Sequence, residues 1–198
     1  MSIIKGDALD LIQAESGSFD LIVTDPPYAF GGSGDEHAIS ATVAVVLREA
    51  AMRLKRGRFM VVMCASSWRS MSYMVESVRG VVDPVRVGTW CKPESRTKVS
   101  TPGWAWASVS AILFRKGKAD NLFTASPFPD NIIAAAVRNG RRAELPQTVA
   151  TWMVRPFAVE GGRFLDPFAG SGAIVEAAQI AGMDAIGYEK NPTSAEAA

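Results

Sequence analysis

The sequence predicts an α/β fold with a mostly parallel central sheet that is covered by helices on both faces. Short apolar runs alternate with amphipathic helical patterns along the chain, which is typical of such sheets. Two of these runs stop at an acidic residue followed by a turn. A length of 198 residues, 48% of them hydrophobic, suits one domain with a sizeable core. We therefore expect a single domain over residues 1–198.

The elements follow from local patterns. Predicted strands span residues 2–4, 19–24, 58–64, 85–91, 108–114, 163–166 and 183–189. Predicted helices span residues 8–15, 37–54, 68–78, 146–157 and 171–181. The clearest helix is 37–54, because Val43, Val46, Leu47 and Ala50 recur on one helical face. Residues 121–142 are weakly patterned, and no element is predicted there.

One strand end suggests a nucleoside site. The strand at 163–166 ends in Asp166, and a turn containing Gly170 and Gly172 leads into a helix. Glycines let backbone amides approach a ligand closely, and a helix N-terminus offers unpaired N–H groups. Alone this element is ambiguous between a dinucleotide site and a tight turn. The next strand ends in Glu189, an acid placed to accept both hydroxyls of a ribose, or simply a surface acid.

The other strand end carries Asp25-Pro26-Pro27-Tyr28. The exocyclic amine of a base is a poor nucleophile, because its lone pair is delocalised into the ring. A site that methylates it must accept the N–H hydrogens. Asp25 can accept one, the rigidly held carbonyl of Pro26 can accept the other, and Tyr28 offers a face on which an extruded base stacks. The alternative is a Pro-Pro turn with a capping Asp.

Charge and cysteine content bear on whether the protein binds nucleic acid, forms disulfides or holds a metal. The net charge is +1, and basic residues cluster at 53–58, 92–98, 115–118 and 138–142. These clusters are either one phosphate-tracking stripe or solvated loop ends. Cys64 and Cys91 lack metal-ligand spacing and are expected to be reduced thiols. No metal site, membrane span or signal peptide is predicted, and a cytoplasmic protein is expected.

These motifs together resemble the DNA amino-methyltransferases, which methylate adenine N6 or cytosine N4. Residues 25–28 resemble their catalytic motif, and residues 166–172 resemble their cofactor loop. The order of the motifs is similar to the circularly permuted β group, whose chains open with Gly-Asp-Ala-Leu, as residues 6–9 do here. Residues 58–68 and 87–92 look like phage and prophage versions. The resemblance covers residues 3–190 and implies a Rossmann-like, S-adenosylmethionine-dependent methyltransferase fold.

The resemblance also implies roles at matching positions, with S-adenosylmethionine as cofactor. Asp7 would accept a hydrogen bond from the cofactor's adenine, and Glu189 would hold its ribose. The residues implied to bind the cofactor are Asp7, Ala8, Asp25, Thr148, Asp166, Pro167, Phe168, Ala169, Gly170, Gly172 and Glu189. The catalytic residues implied are Asp25, Pro26, Pro27 and Tyr28. Thr148 departs from the family, where a Lys-Pro pair usually begins this helix, so its contact with the cofactor carboxylate is expected to be weaker.

The implied partner is double-stranded DNA with the target base flipped out. Asp25 favours adenine N6, since cytosine enzymes of the family more often carry Ser in its place. Short target-recognition loops are expected at 92–103 and 120–142, and a homodimer would help to span the DNA site. Alternatives are cytosine N4, RNA adenine, a protein glutamine amide, or a catalytically silent subunit that binds cofactor or DNA.

Three further features each have two interpretations. The glycine-rich residues 31–34 form either a lid over the bound base or an ordinary loop. His37 is either a base or a packing residue at a helix start. Trp104 and Trp106, with Lys98 nearby, either contact DNA or pack in the protein.

Overall fold

A computed structural model describes residues 2–27, 36–93, 107–120, 128–137 and 144–190, with side chains in the second helix described from residue 41 onward. The strands are β1 (Ser2–Lys5), β2 (Phe19–Thr24), β3 (Leu54–Ala65), β4 (Asp83–Cys91), β5 (Ser108–Arg115), β6 (Asn131–Ile133), β7 (Arg163–Asp166) and β8 (Asp184–Glu189). The helices are α1 (Ala8–Ala14), α2 (Glu36–Arg53), α3 (Trp68–Ser77), α4 (Gln147–Val154), which continues as a 3₁₀ turn (Arg155–Phe157), and α5 (Ala173–Ile180).

The described strands form one sheet in the order β1-β8-β7-β2-β3-β5-β4-β6. Every neighbouring pair is parallel except the two pairs that β5 makes with β3 and β4. All strands but β5 therefore run in one direction, and their carboxyl ends meet at one edge of the sheet. The predicted mostly parallel sheet is confirmed.

Helices cover both faces of this sheet, as predicted. Helices α4 and α5 pack on one face, with Val149, Met153 and Val175 in its core. Helices α1, α2 and α3 pack on the other face. The predicted stripe of α2 is buried there, with Leu47 and Ala50 fully inaccessible to solvent. The apolar side of each helix layer is buried against one face of the sheet, and this burial stabilises the three-layer arrangement.

The crossover connections change direction across the sheet between β2 and β7. From β2 it crosses through α2 to β3 on one side, whereas from β7 it crosses through α5 to β8 on the other side. Parallel sheets open a crevice at the carboxyl ends of the strands where such a reversal occurs. The two strand ends that carry unusual chemistry in the sequence, those of β2 and β7, flank this crevice.

The two larger differences from the sequence prediction concern β6 and β3, whereas the other predicted bounds lie within two residues of the observed ones. Strand β6 was not predicted, because its three residues form a strand only by pairing with Thr89, Trp90 and Cys91 of β4. Strand β3 begins at Leu54 rather than at residue 58. Leu54 pairs with Phe19 ahead of an irregularity in the ladder, although it also continues the helical pattern of α2.

Two of the four basic clusters, 53–58 and 115–118, lie at the edge of the sheet opposite the crevice. Lys116 Nζ donates to the carbonyls of Ala51 and Met52, 3.1 and 2.7 Å away, at the end of α2. Lys55 Nζ and Arg58 Nε lie 2.7 and 3.2 Å from the carboxylate of buried Asp20. The charged groups of these three residues thus contact carbonyl and carboxylate groups of the protein itself. Residues 94–98 and 138–142 lie outside the described residues.

The structure also describes the two cysteines and the residue types that could bind a metal or span a membrane. Both cysteines are free thiols, Cys64 buried and Cys91 partly buried. Within the described ranges, no cluster of side chains suits a metal ion, and no helix is long and apolar enough to cross a membrane.

Candidate active site

The motif that the sequence predicts to be catalytic begins where β2 ends. All six residues of β2 are buried, and the strand cannot continue through Pro26, which has no N–H to donate to the ladder. Asp25 is half-buried, Pro26 is buried and Pro27 is exposed. Tyr28 lies outside the described residues, as do the glycine-rich residues 31–34, the side chain of His37 and the pair Trp104 and Trp106.

Asp166 at the end of β7 is fully buried. Its Oδ1 accepts hydrogen bonds from the Thr24 hydroxyl at 2.7 Å and from the Phe168 amide at 3.0 Å. Its Oδ2 is buried without a hydrogen-bond partner among the described residues. Burial raises the pKa of Asp166 to about 7, and the charges of Asp25 and Glu189 act in the same direction, against the two hydrogen bonds.

The glycine turn after Asp166 brings a backbone amide to Glu189. Gly170 has a φ of +51°, a left-handed conformation that favours glycine. Its N–H donates to Glu189 Oε2 at 3.0 Å. A Cβ added at Gly170 would meet no described atom within 4 Å, so the turn borders open space. The strand-end acid is thereby held against the turn that opens α5.

The turn after β1 completes this edge of the sheet. Asp7 caps α1, because its Oδ1 accepts from the Leu9 amide at 3.0 Å. Its Oδ2 lies 3.2 Å from Lys190 Nζ. The hydrogen bond from Leu9 and the nearby Lys190 ammonium lower the pKa of Asp7. Asp7 and Lys190 come together because β1 pairs with β8, with Lys5 beside Glu189.

These turns enclose a cavity of about 350 Å³. The residues that line it are Gly6, Asp7, Ala8, Asp25, Pro27, Pro167, Phe168, Gly170, Tyr188, Glu189 and Lys190. Eight of the eleven are residues that the sequence predicts for the site, and they come from four separate segments of the chain. The fold thus brings the turn after β2 and the glycine turn after β7 to one cavity.

The other predicted residues have less direct positions. Four of them do not line the cavity but lie within two positions of a lining residue along the chain: Asp166, Pro26, Ala169 and Gly172. Thr148 lies in the first turn of α4 and is not part of the lining either. No described geometry joins Thr148 to the other predicted residues.

Sequence reasoning missed Gly6, Tyr188, Lys190 and Thr24. Each of these residues directly precedes or follows a predicted site residue, and that proximity was the available signal. Tyr188 is buried, and burial raises the pKa of its hydroxyl. Thr24 was treated only as the last residue of a strand, since nothing in the sequence pairs it with Asp166.

A second cavity, of about 360 Å³, lies beside α4 and contains none of the predicted site residues. Val61, Leu113 and Met153 give it an apolar wall, and Arg86 and Asp130 line it and face each other at 3.4 Å. It is slightly larger than the first cavity but lacks its convergent acids and backbone amides. The chemistry of the sequence motifs therefore places the candidate active site in the cavity at the carboxyl ends of the strands.

A protein-family model described as DNA methylase, of the N6/N4 methyltransferases, matches residues 94–198, more than half of the chain. The chain belongs to this DNA methylase family. The resemblance to DNA amino-methyltransferases that the sequence motifs predict is thereby confirmed. No curated protein matches the chain.

Solved structures of DNA methylases share the fold. The M1.HpyAVI–SAM complex is 21% identical, with a TM-score of 0.76 over 96% of this chain and 92% of that chain. TTHA0409 from Thermus thermophilus, a putative DNA modification methylase complexed with S-adenosyl-L-methionine, is 21% identical, with a TM-score of 0.74 over 98% and 91%. The cytosine-N4-specific PvuII DNA methyltransferase is 17% identical, with a TM-score of 0.73 over 96% and 82%. The predicted S-adenosylmethionine-dependent methyltransferase fold is confirmed.

Proposed function

We propose that this DNA methylase transfers a methyl group from S-adenosylmethionine to the N6 amino group of adenine in double-stranded DNA. The observation that carries the proposal is that one and the same cavity is lined by Asp25 and by residues of the turns after β7 and β8. These residues are Pro167, Phe168, Gly170 and Glu189. A methyl donor held by the turn after β7 and a base held by Asp25 would then meet inside one enclosure.

The residues around this cavity suit S-adenosylmethionine. Asp166 does not line the cavity, but its Oδ1 holds the amide of Phe168, which lines the cavity where the methionine part would lie. The open space at Gly170 admits a ligand close to the backbone. Glu189 would accept the hydroxyls of the ribose, and Asp7 would accept a hydrogen bond from the adenine amino group. Thr148 stays a proposed contact for the methionine carboxylate, although α4 does not line the cavity.

We assign the catalytic work to residues 25–28. Asp25 accepts one N–H of the target amine, and the Pro26 carbonyl accepts the other, so that the nitrogen lone pair turns toward the methyl group. Asp25 also stabilises the positive charge that develops on nitrogen, and the proton then leaves to solvent or through Asp25. Tyr28 stacks on the base after it is flipped out of the duplex. When bound, the cofactor supplies the electrophilic methyl group.

Adenine is favoured by the family resemblance, in which Asp in the tetrapeptide is commoner among adenine enzymes. Cytosine N4 is the second candidate, and the structural likeness to the cytosine-N4-specific PvuII enzyme is the observation in its favour. Both amines present the same pair of N–H hydrogens, so the same residues would serve either base.

The remaining proposals concern the context of the reaction. The chain acts as a single catalytic domain of the circularly permuted, phage-like group, in the cytoplasm of a bacterial or phage-infected cell. Residues 92–103 and 120–142 contact the DNA target, and a homodimer extends the contact along the duplex. Because this pair of loops is short, we propose a short recognition sequence.

A substrate panel tests the proposed function. Purified protein is incubated with radiolabelled S-adenosylmethionine and, in parallel, with unmethylated duplex DNA, RNA and a glutamine-containing protein extract. We expect label in the duplex DNA alone. Label confined to RNA or to protein would overturn the DNA assignment. Cofactor binding without label in any substrate would instead indicate a silent subunit.

A further inference from the structure

The backbone ladder between β2 and β7 stops just where the active site begins. Leu21 pairs with Phe164 and Ile22 with Leu165. The residue after Asp25 and the residue after Asp166 are both prolines, so neither turn has an N–H there to extend the ladder. The next link between the two chain segments is made by side chains, from the Thr24 hydroxyl to Asp166 Oδ1 at 2.7 Å.

This link is well shielded from water. Thr24 and Asp166 are both 0% exposed. Oδ1 also accepts the Phe168 amide at 3.0 Å, so two donors fix the carboxylate and leave Oδ2 as the atom without a described partner. A hydrogen bond to a buried charged group is stronger than one between neutral groups and restricts the geometry of both partners.

We propose that Thr24 is a positioning residue that fixes the Asp166 carboxylate. This carboxylate in turn holds the amide of Phe168, which lines the cavity, and the Thr24 hydroxyl joins it to the strand carrying Asp25. The inference rests on the proposed function, because it takes S-adenosylmethionine as the ligand. A single hydroxyl then connects the cofactor turn with the catalytic motif.

The electrostatics around Asp166 agree with this role. Asp25 follows β2, and Glu189 ends β8, and both carboxylates disfavour a negative charge on Asp166. The charged residue of α5, Glu176, is exposed. Burial raises the pKa of Asp166 to about 7, and the hydrogen bond from Thr24 opposes that rise. Losing the hydroxyl should therefore favour the neutral carboxyl group, which accepts the Phe168 amide more weakly and holds this turn less firmly.

The experiment measures S-adenosylmethionine affinity from pH 5.5 to 8.5 for four variants of the full chain. Thr24→Val keeps the shape and removes the donor. Thr24→Ser and Thr24→Ala are both smaller than Thr and differ from each other only in the hydroxyl. Thr89→Val, in β4 and away from the lining of the cavity, is the control for a threonine lost from the sheet.

We expect Thr24→Val and Thr24→Ala to bind the cofactor about tenfold or more weakly at pH 7, as the loss of a hydrogen bond to a charged group implies. Their affinity should also need a higher pH to reach its plateau. Thr24→Ser and Thr89→Val should match the wild type in both respects. If Thr24→Val proved too unstable to purify, the comparison of Thr24→Ser with Thr24→Ala would still isolate the hydroxyl.

Two results would overturn the inference in distinguishable ways. Equal pH profiles for the Ser and Ala variants, with a wild type that binds cofactor, would show that the hydroxyl serves only stability and would leave the proposed function intact. A wild type that bound no cofactor would overturn the proposed function and this inference together.

Discussion

Lys190 Nζ lies 3.2 Å from Asp7 Oδ2, so the residue after the last strand of the sheet contacts the turn that follows the first. The pair is partly exposed, with 73% of the Lys190 side chain and 36% of the Asp7 side chain accessible, so its own contribution to stability is small. Asp7 also caps α1 and lines the cavity, and these two roles can be separated by substitution.

Replacing Asp7 by Ser should separate these purposes. Serine can still cap α1 through the Leu9 amide, so the melting temperature should stay near that of the wild type. The loss of the carboxylate should weaken S-adenosylmethionine binding about tenfold, the usual worth of a charge-assisted hydrogen bond. Calorimetric binding and thermal melting measure the two effects.

Asp7→Ala is the matched comparison, because it removes the cap as well and should cost about 1 kcal/mol of unfolding free energy. Cofactor affinity that is unchanged in both variants would contradict the proposed contact between Asp7 and the cofactor.

Gly170→Ala should impair ligand binding beyond its effect on stability. The left-handed φ of +51° makes any Cβ unfavourable by about 1 kcal/mol, and here the Cβ would also enter the open space beside the turn. We expect cofactor affinity to fall at least tenfold, as measured by titration.

Gly161→Ala is a close control, since Gly161 also has a positive φ, +67°, and does not line the cavity. A Cβ added at Gly161 would likewise meet no described atom within 4 Å. This variant should lose similar stability and keep its affinity. Equal affinities of the two variants would show that the space beside Gly170 does not hold the cofactor.

The buried carboxyl of Asp166 should make the stability of the cofactor-free protein depend on pH. Its pKa is about 7 in the folded chain and about 4 when unfolded, so between these values the folded state holds more protons. The contribution of Asp166 to stability is thus greatest below pH 4 and is lost as pH rises toward 7.

Asp166→Asn cannot ionise and should lack this component. The free energy of unfolding of the wild type, relative to that of the variant, should be lower at pH 8 than at pH 5. Urea denaturation at the two pH values measures this difference. The same difference at both pH values would show that Asp166 is already ionised in the folded protein at pH 5.

Much of the site could be predicted from the sequence because its residues sit at strand ends. Strand β2 was predicted with the bounds it has, since a run of mostly apolar and β-branched residues stops at two prolines. Asp166 and Glu189 were recognisable because each ends an apolar strand. Their convergence follows from parallel strands sharing one carboxyl edge.

What the sequence could not supply are contacts between distant segments. The bond from Thr24 to Asp166 joins residues 142 positions apart, and the ion pair of Asp7 and Lys190 joins residues 183 apart. Strand β6 likewise exists only through β4. The same limit explains the basic clusters, whose sequence neighbours gave no sign that Lys55 and Arg58 would contact Asp20.

The role of Asp25 is tested by comparing wild type with Asp25→Ala for methyl transfer to unmethylated duplex DNA, followed by nucleoside digestion and mass spectrometry. We expect N6-methyladenine from the wild type, none from the variant, and nearly equal affinities for S-adenosylmethionine in both. N4-methylcytosine from the wild type would correct the base and keep the mechanism. Methylation by Asp25→Ala at a rate near that of the wild type would contradict the central claim that Asp25 holds the target amine.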